Sequence, residues 1–223
     1  MIESTRGIVL NYIKYKETSI IVRVFTQKYG LKSLIVNGIR SKKAKKSIGN
    51  FQPCTILDLQ LYYLENKDLL RLNDAKIVIA TPEISQNIKK SAIAIFITEI
   101  LGKTLYHEHH ENQELYQFLE NYILQLDTRA TQYEDFHVKF LIDYSPYLGF
   151  ALTHPTMITT MELSEKENRY IDQLIHHSIE DLPYSGTGEI RLQCLKALIA
   201  YYMEHLDGLS EIKSLKVLHQ IFH

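Results

Sequence analysis

Cysteine is scarce in this chain of 223 residues: Cys54 and Cys194 are the only two, far apart and each alone in an apolar stretch. That spacing argues against a disulfide framework and favours a reducing, cytoplasmic setting, with both thiols as small core residues. Long apolar runs are missing as well. None reaches about 18 residues, so no segment is expected to span a membrane. The opening M-I-E-S-T-R-G-I-V-L has neither the basic start nor the long apolar core of a signal peptide. The sequence contains no G-x-S-x-G, no phosphate-binding glycine loop and no H-E-x-x-H, so nothing in it calls for an enzyme and no catalytic residue is assigned. There is no internal repeat. Even net charge is nearly absent, with 25 Lys and Arg against 26 Asp and Glu.

What is present is a segregation of that charge. Residues 1–80 hold 14 basic and 6 acidic side chains, while residues 81–223 hold 11 and 20, together with all ten histidines. Such asymmetry implies that the first part meets nucleic acid and the second does not. The densest basic stretch is V-N-G-I-R-S-K-K-A-K-K-S-I-G-N-F (36–51), where Arg40, Lys42, Lys43, Lys45 and Lys46 fall together with no acid among them. Like charges repel, so an external polyanion is the expected compensation. A merely solvated loop is the plain alternative.

Two hydrophobic periods divide the chain. Up to residue 80 the period is two. Ile8, Leu10 and Tyr12 alternate with Gly7, Val9 and Asn11; Ile20, Val22 and Val24 share a face opposite Arg23; and residues 31–38 make a third strand. Residues 55–63 give the cleanest alternation, and a fifth run spans roughly Leu69 to Ala80. Q-K-Y-G (27–30) reads as a turn in which Gly30 supplies positive φ. Five short strands with one long basic loop predict a small closed barrel. Lys28 and Lys32 add to its charge, as do Arg6, Lys14 and Lys16. Tyr12, Tyr15, Phe25, Tyr29 and Tyr62 offer aromatic surface, about half of it expected in the core. A basic groove with stacking rings is how such barrels hold single strands.

Thr81-Pro82 begins a helical period. Leu115, Phe118, Leu119, Tyr122 and Leu126 form one apolar stripe. Residues 91–101 are apolar nearly all round, as in a helix at the centre of a bundle. Residues 132–144 continue until Pro146 and Gly149; Ser164 and Glu167 have capping-box spacing ahead of a helix over 164–178; residues 188–206 and 214–222 are the last two. The fold class is thus α+β, with domains at 1–80 and 81–223. H-E-H-H-E (107–111) reads as a polar helix end rather than a metal site, since its only i,i+4 pair is His107 with Glu111. S-G-T-G (185–188) reads as a turn into a helix cap, although a helix N-terminus can also bind an anion.

Taken in order, G-I-V-L (7–10), E-T-S-I-I-V-R-V-F-T (17–26), Y-G-L (29–31), V-N-G-I-R-S-K-K (36–43), F-Q-P (51–53), Y-L-G-F (147–150) and S-L-K-V-L-H-Q-I-F (214–222) resemble the RecO family of bacterial recombination and repair proteins. The resemblance covers nearly the whole chain. It implies an N-terminal five-stranded OB-fold barrel followed by a mostly helical domain. It also implies a mediator that binds single- and double-stranded DNA, anneals complementary strands, associates with RecR and with the C-terminal tail of single-stranded-DNA-binding protein, and assists RecA indirectly, near the nucleoid. Many family members carry a four-cysteine zinc site after Y-L-G-F. Here residues 151–170 contain no cysteine, and His154 alone cannot replace four ligands. No metal or other cofactor is expected. The DNA-binding candidates are Arg23, Lys28, Lys32, Arg40, Lys42, Lys43, Lys45 and Lys46. For the acidic tail, an apolar groove is expected in the helical part, rimmed by some of Lys89, Lys90, Lys103, Arg129 and Lys139. Two other readings stay open: a generic OB-fold module that binds single strands without annealing them, and a metal-dependent enzyme using the His-rich segment.

Overall fold

In the computed structural model, residues 1–41, 47–65, 67–107, 110–182, 186–209 and 211–222 are described. Five strands come first: β1 (Ile2–Tyr15), β2 (Ser19–Thr26), β3 (Gly30–Val36), β4 (Ile56–Tyr62) and β5 (Leu69–Ile79). They close into a barrel in the order β1-β2-β3-β5-β4, antiparallel throughout except for the parallel pair β3–β5. This is the closed barrel expected from the strand pattern, of the OB type that the resemblance implies. Alternation fills its interior with Val9, Ile20, Val22, Val24, Leu34, Leu57, Leu59 and Leu61, all essentially inaccessible. The long β3–β4 connection plugs one end with Ile39 and Phe51, the latter on a short 3-10 turn, Ile48–Phe51, capped by the Ser47 hydroxyl. Gly7 sits where a Cβ would lie 2.4 Å from Val24 Cγ1 and 2.7 Å from Leu59 Cδ1, so interior packing admits no side chain there. Gly30 does take positive φ, at 63°.

One expectation about β1 fails. The register with β2 steps between Val9 and Asn11, a bulge that leaves Leu10 without a partner. The extra residue moves every later side chain to the other face. Tyr12 therefore turns inward with Val9, opposite Val22, instead of staying with Ile8 and Leu10.

Helices follow from Pro82: α1 (Pro82–Gln86), α2 (Ile88–Thr104), α3 (Gln113–Thr128), α4 (Phe136–Tyr144), α5 (Glu165–His176), α6 (Gly188–His205) and α7 (Ser214–Phe222). The side chain of Thr81 makes no cap bond; the Asp127 carboxylate accepts from Ile84 N–H at 2.8 Å instead. Ser164 and Glu167 form both bonds of the capping box on α5. Gly149, with φ of 87°, ends the turn after α4. Helix α2 is central, packing against α1, α3, α4, α7 and strand β1. The outer faces of β1 to β4 supply Ile8, Leu10, Phe25, Leu31 and Ile56 to the same apolar cluster as α2, so barrel and helices share one core. No helix among the described residues is long and apolar enough to cross a membrane.

Candidate nucleic-acid interface

The outer surface of the barrel away from the helices is a strip built by strand register. Ile13 stands opposite Ile21, Ile21 opposite Ile35, Ile35 opposite Arg71, Arg71 opposite Tyr62, and Tyr62 opposite Ile2. Ile21, Ile35, Arg71 and Tyr62 each lie between inward-facing neighbours and so face out, and Ile13 follows the inward-facing Tyr12. Ile2, Ile13 and Tyr62 are 51%, 61% and 41% exposed, and the Arg71 guanidinium lies 5.6 Å from the Tyr62 ring centre. A solvent-facing row of aliphatic and aromatic groups with an arginine in it is a surface on which bases can stack.

Basic loops flank one end of this strip. Lys14 and Lys16 are exposed at the β1–β2 turn, with the Lys16 ammonium 5.3 Å from the Tyr15 ring. Arg40 is exposed and ties the two loops together: its N–H donates to Thr18 O at 2.9 Å and its guanidinium to Lys16 O at 3.3 Å. Lys42, Lys43, Lys45 and Lys46 lie outside the described residues; in the chain they come just after Arg40 and Ser41.

The other candidates are placed differently. Lys28 is exposed but sits on the β2–β3 turn, at the far end of β2 from Arg40. Lys32 faces the barrel interior opposite Val24; its side chain is 7% exposed and its ammonium is 3.3 Å from Asp68. It shares the parity of Leu34 and Val36, and its stem reaches out to a carboxylate at the rim. That geometry leaves Lys32 no surface to offer a phosphate. Arg23 faces out between Asn11 and Ser33, in a groove against α2. Among the aromatics, Phe25 is buried against the helices, and Tyr29 stacks on Tyr63 at 4.2 Å. Burial and the neighbouring Glu3 carboxylate both push the Tyr29 phenol up.

Arg71, Ile13, Ile21 and Ile35 were absent from the sequence-derived site. Alternation in L-L-R-L does give Arg71 as outward-facing, but nothing local tells which strands flank it.

In the helical part, Lys90 is 1% exposed and donates to Asp127 O at 2.7 Å, and Lys139 is buried against Asp143. Both hold the bundle together and neither rims a groove. Arg129 donates to Ile179 O. Lys89 lies over the Phe222 ring and near Glu134. No group of three or more His, Cys, Asp or Glu among the described residues is arranged to hold a metal ion; residues 108 and 109 and the His107 side chain lie outside that description.

Comparison with known proteins agrees with this architecture. Residues 1–80 match the family described as Recombination protein O N terminal, and residues 85–154 match Recombination protein O C terminal. The DNA repair protein RecO of Flavobacterium psychrophilum is 35% identical over 98% of both chains. That of Bacteroides fragilis is 31% identical over the full length of both, and that of Flavobacterium johnsoniae 30% over 98% of each. Two family matches in the right order and full-length relatives above 30% identity lead to one conclusion: the chain belongs to the RecO family.

Proposed function

We propose that this protein is a DNA-binding recombination mediator that holds single- and double-stranded DNA on its barrel, anneals complementary strands and assists recombinase loading together with RecR. The strip Ile13–Ile21–Ile35–Arg71–Tyr62, exposed at Ile13, Arg71 and Tyr62 and half-buried at the two isoleucines between, lies next to the basic loops and carries this reading. Annealing needs two like-charged strands brought close with their charges screened, and cations supply that without any bond being made or broken. The protein therefore acts as a binder and not as an enzyme, needs no cofactor, and works in the cytoplasm on nucleoid DNA. The acidic helical part repels phosphate at long range and is the expected seat of protein partners, among them RecR and the tail of single-stranded-DNA-binding protein.

The test is annealing of complementary oligonucleotides by the full chain and by Tyr62→Ala/Arg71→Ala. Loss of one stacked base costs about 1–3 kcal/mol, a roughly 5- to 150-fold weaker single-strand complex. Annealing should slow in step. Wild-type binding without annealing would leave a generic OB-fold module, and EDTA-sensitive strand cleavage would point to an enzyme. Binding and annealing unaffected by the double substitution would remove the strip from the site.

A further inference from the structure

A trench runs along the seam between the barrel and α2. Two cavities form it, of about 500 and 530 Å³, and they meet at Pro53 and Ile95, which line both. The first is walled by Thr81, Ser85 and Ser91 and begins at Gly49 and Gln52, just after the lysine-rich run. The second is charged: Arg23 from β2, Lys103 from α2 and Lys213 ahead of α7 line it, with Leu10 and Val217 as apolar wall. Ile95 is 43% exposed, unusual for the central helix of the bundle.

Three observations say what this trench takes. First, Arg23 is half-buried at its edge, and among the described residues its guanidinium has no hydrogen-bond or ion-pair partner. Its Nη1 lies 3.6 Å from where a Cβ on Gly102 would stand, so the guanidinium lies at contact distance along α2. Second, the single carboxylate in the lining, Glu99, is already engaged. It accepts from Lys213 N–H (2.9 Å), Ser214 N–H (2.8 Å) and the Ser214 hydroxyl (2.6 Å), and lies 3.8 Å from the Lys103 ammonium. The wall is thus cationic inside a part of the chain that is otherwise acidic. Third, the row Asn11–Arg23–Ser33–Leu69 lies two residues along the strands from the row Ile13–Ile21–Ile35–Arg71, about 7 Å away. The trench opens directly off the strip.

From this we infer that a bound single strand does not stop at the barrel but continues along the seam, with phosphates at Arg23 and Lys213 and bases against Ile95 and Val217. The inference rests on the barrel strip as the nucleic-acid surface and extends it into the helical part. The footprint is then longer than the barrel alone gives, and the strand itself bridges barrel and helices.

Salt titration of oligothymidine binding separates the two readings. An oligomer of about 8 nucleotides lies within the reach of one OB barrel and one of about 25 exceeds it. In Arg23→Gln/Lys213→Gln the slope of log K against log salt for the long oligomer should fall by roughly 1.4, the value for two single-strand phosphates. For the short one it should fall by no more than roughly 0.7, the share of Arg23 at the mouth of the trench. The charge-conserving Arg23→Lys/Lys213→Arg should keep the wild-type slope, which counts charges and is insensitive to small packing changes. An unchanged slope for the long oligomer in the Gln variant overturns the seam path. If Tyr62→Ala/Arg71→Ala still weakens both lengths, the barrel reading survives that outcome; if it weakens neither, both readings fall. Binding of an acidic, apolar-ended peptide that the Gln variant abolishes, with DNA binding intact, would make the seam a peptide site instead.

Discussion

Asp135 and Arg191 are the place where a single charge decides whether the helical part holds. Asp135 precedes α4 and is 3% exposed at its side chain; Arg191 on α6 is 7% exposed. Arg191 Nε donates to Asp135 Oδ1 at 2.8 Å, the Tyr170 hydroxyl of α5 donates to the same oxygen at 2.7 Å, and Arg191 Nη2 donates to Gly186 O at 2.9 Å. Burial pushes the Asp135 carboxyl up, against the downward pull of the Arg191 and Tyr170 hydrogen bonds. Asp135→Asn keeps the volume and an acceptor oxygen for both donors and removes only the charge, so the buried Arg191 guanidinium loses the carboxylate it pairs with. Breaking a buried pair costs ~3–5 kcal/mol, and the retained acceptor places this case near the bottom, about 3 kcal/mol. For a chain of this size that lowers Tm by roughly 6–12 °C. Asp135→Leu/Arg191→Met removes both charges and should recover most of the loss. Urea denaturation of the wild type and the two variants compares the two losses directly. A cost below about 1 kcal/mol for Asp135→Asn, or a double variant no more stable than the single one, would refute the reasoning.

Three further outcomes are expected. Gly7→Ala should destabilise by ~1–3 kcal/mol through overpacking against Val24 and Leu59, and adding Val24→Ala should restore part of it, measured by thermal melts. Replacing Lys42, Lys43, Lys45 and Lys46 with Ala should flatten the single-strand salt slope by roughly 0.7 for each phosphate that one of these lysines neutralises, equally for unrelated sequences, with little change in Tm; an unchanged slope would make the loop a bystander. Burial pushes the Glu99 carboxyl up, but hydrogen bonds from Ser214 and Lys213 outweigh it and hold the group below its ordinary value. Its stabilisation of α7 is therefore present above the unfolded-state pKa and lost as pH falls through the lower folded one, so amide exchange in α7 should speed up there. Glu99→Gln should show no such dependence.

Local pattern carried most of the elements. Alternation in T-I-L-D-L-Q-L-Y-Y placed Leu57, Leu59 and Leu61 inside, and Asp58, Gln60 and Tyr62 outside, as observed. Ser164 and Glu167 marked the start of α5, and the nearly all-apolar stretch 91–101 lies in the central helix. These succeed because side-chain period and capping are set within a few residues of chain. Residue type misled where parity was right: Lys32 counted as a surface cation, although it shares the inward face of Leu34 and Val36.

The sequence by itself determined an α+β chain with a basic barrel ahead of acidic helices, because hydrophobic period and charge are properties of consecutive residues. Only the tertiary structure decided which of those residues meet. The bulge at Leu10 turned Tyr12 inward. Pairing of β3 with β5 and of β4 with β1 brought Ile35, Arg71, Tyr62 and Ile2 into one row. Packing of β1 and β2 on α2 set Arg23 beside Gly102. Register and docking arise between segments far apart in the chain, and one extra residue in a strand reverses every side chain after it. No local pattern encodes that.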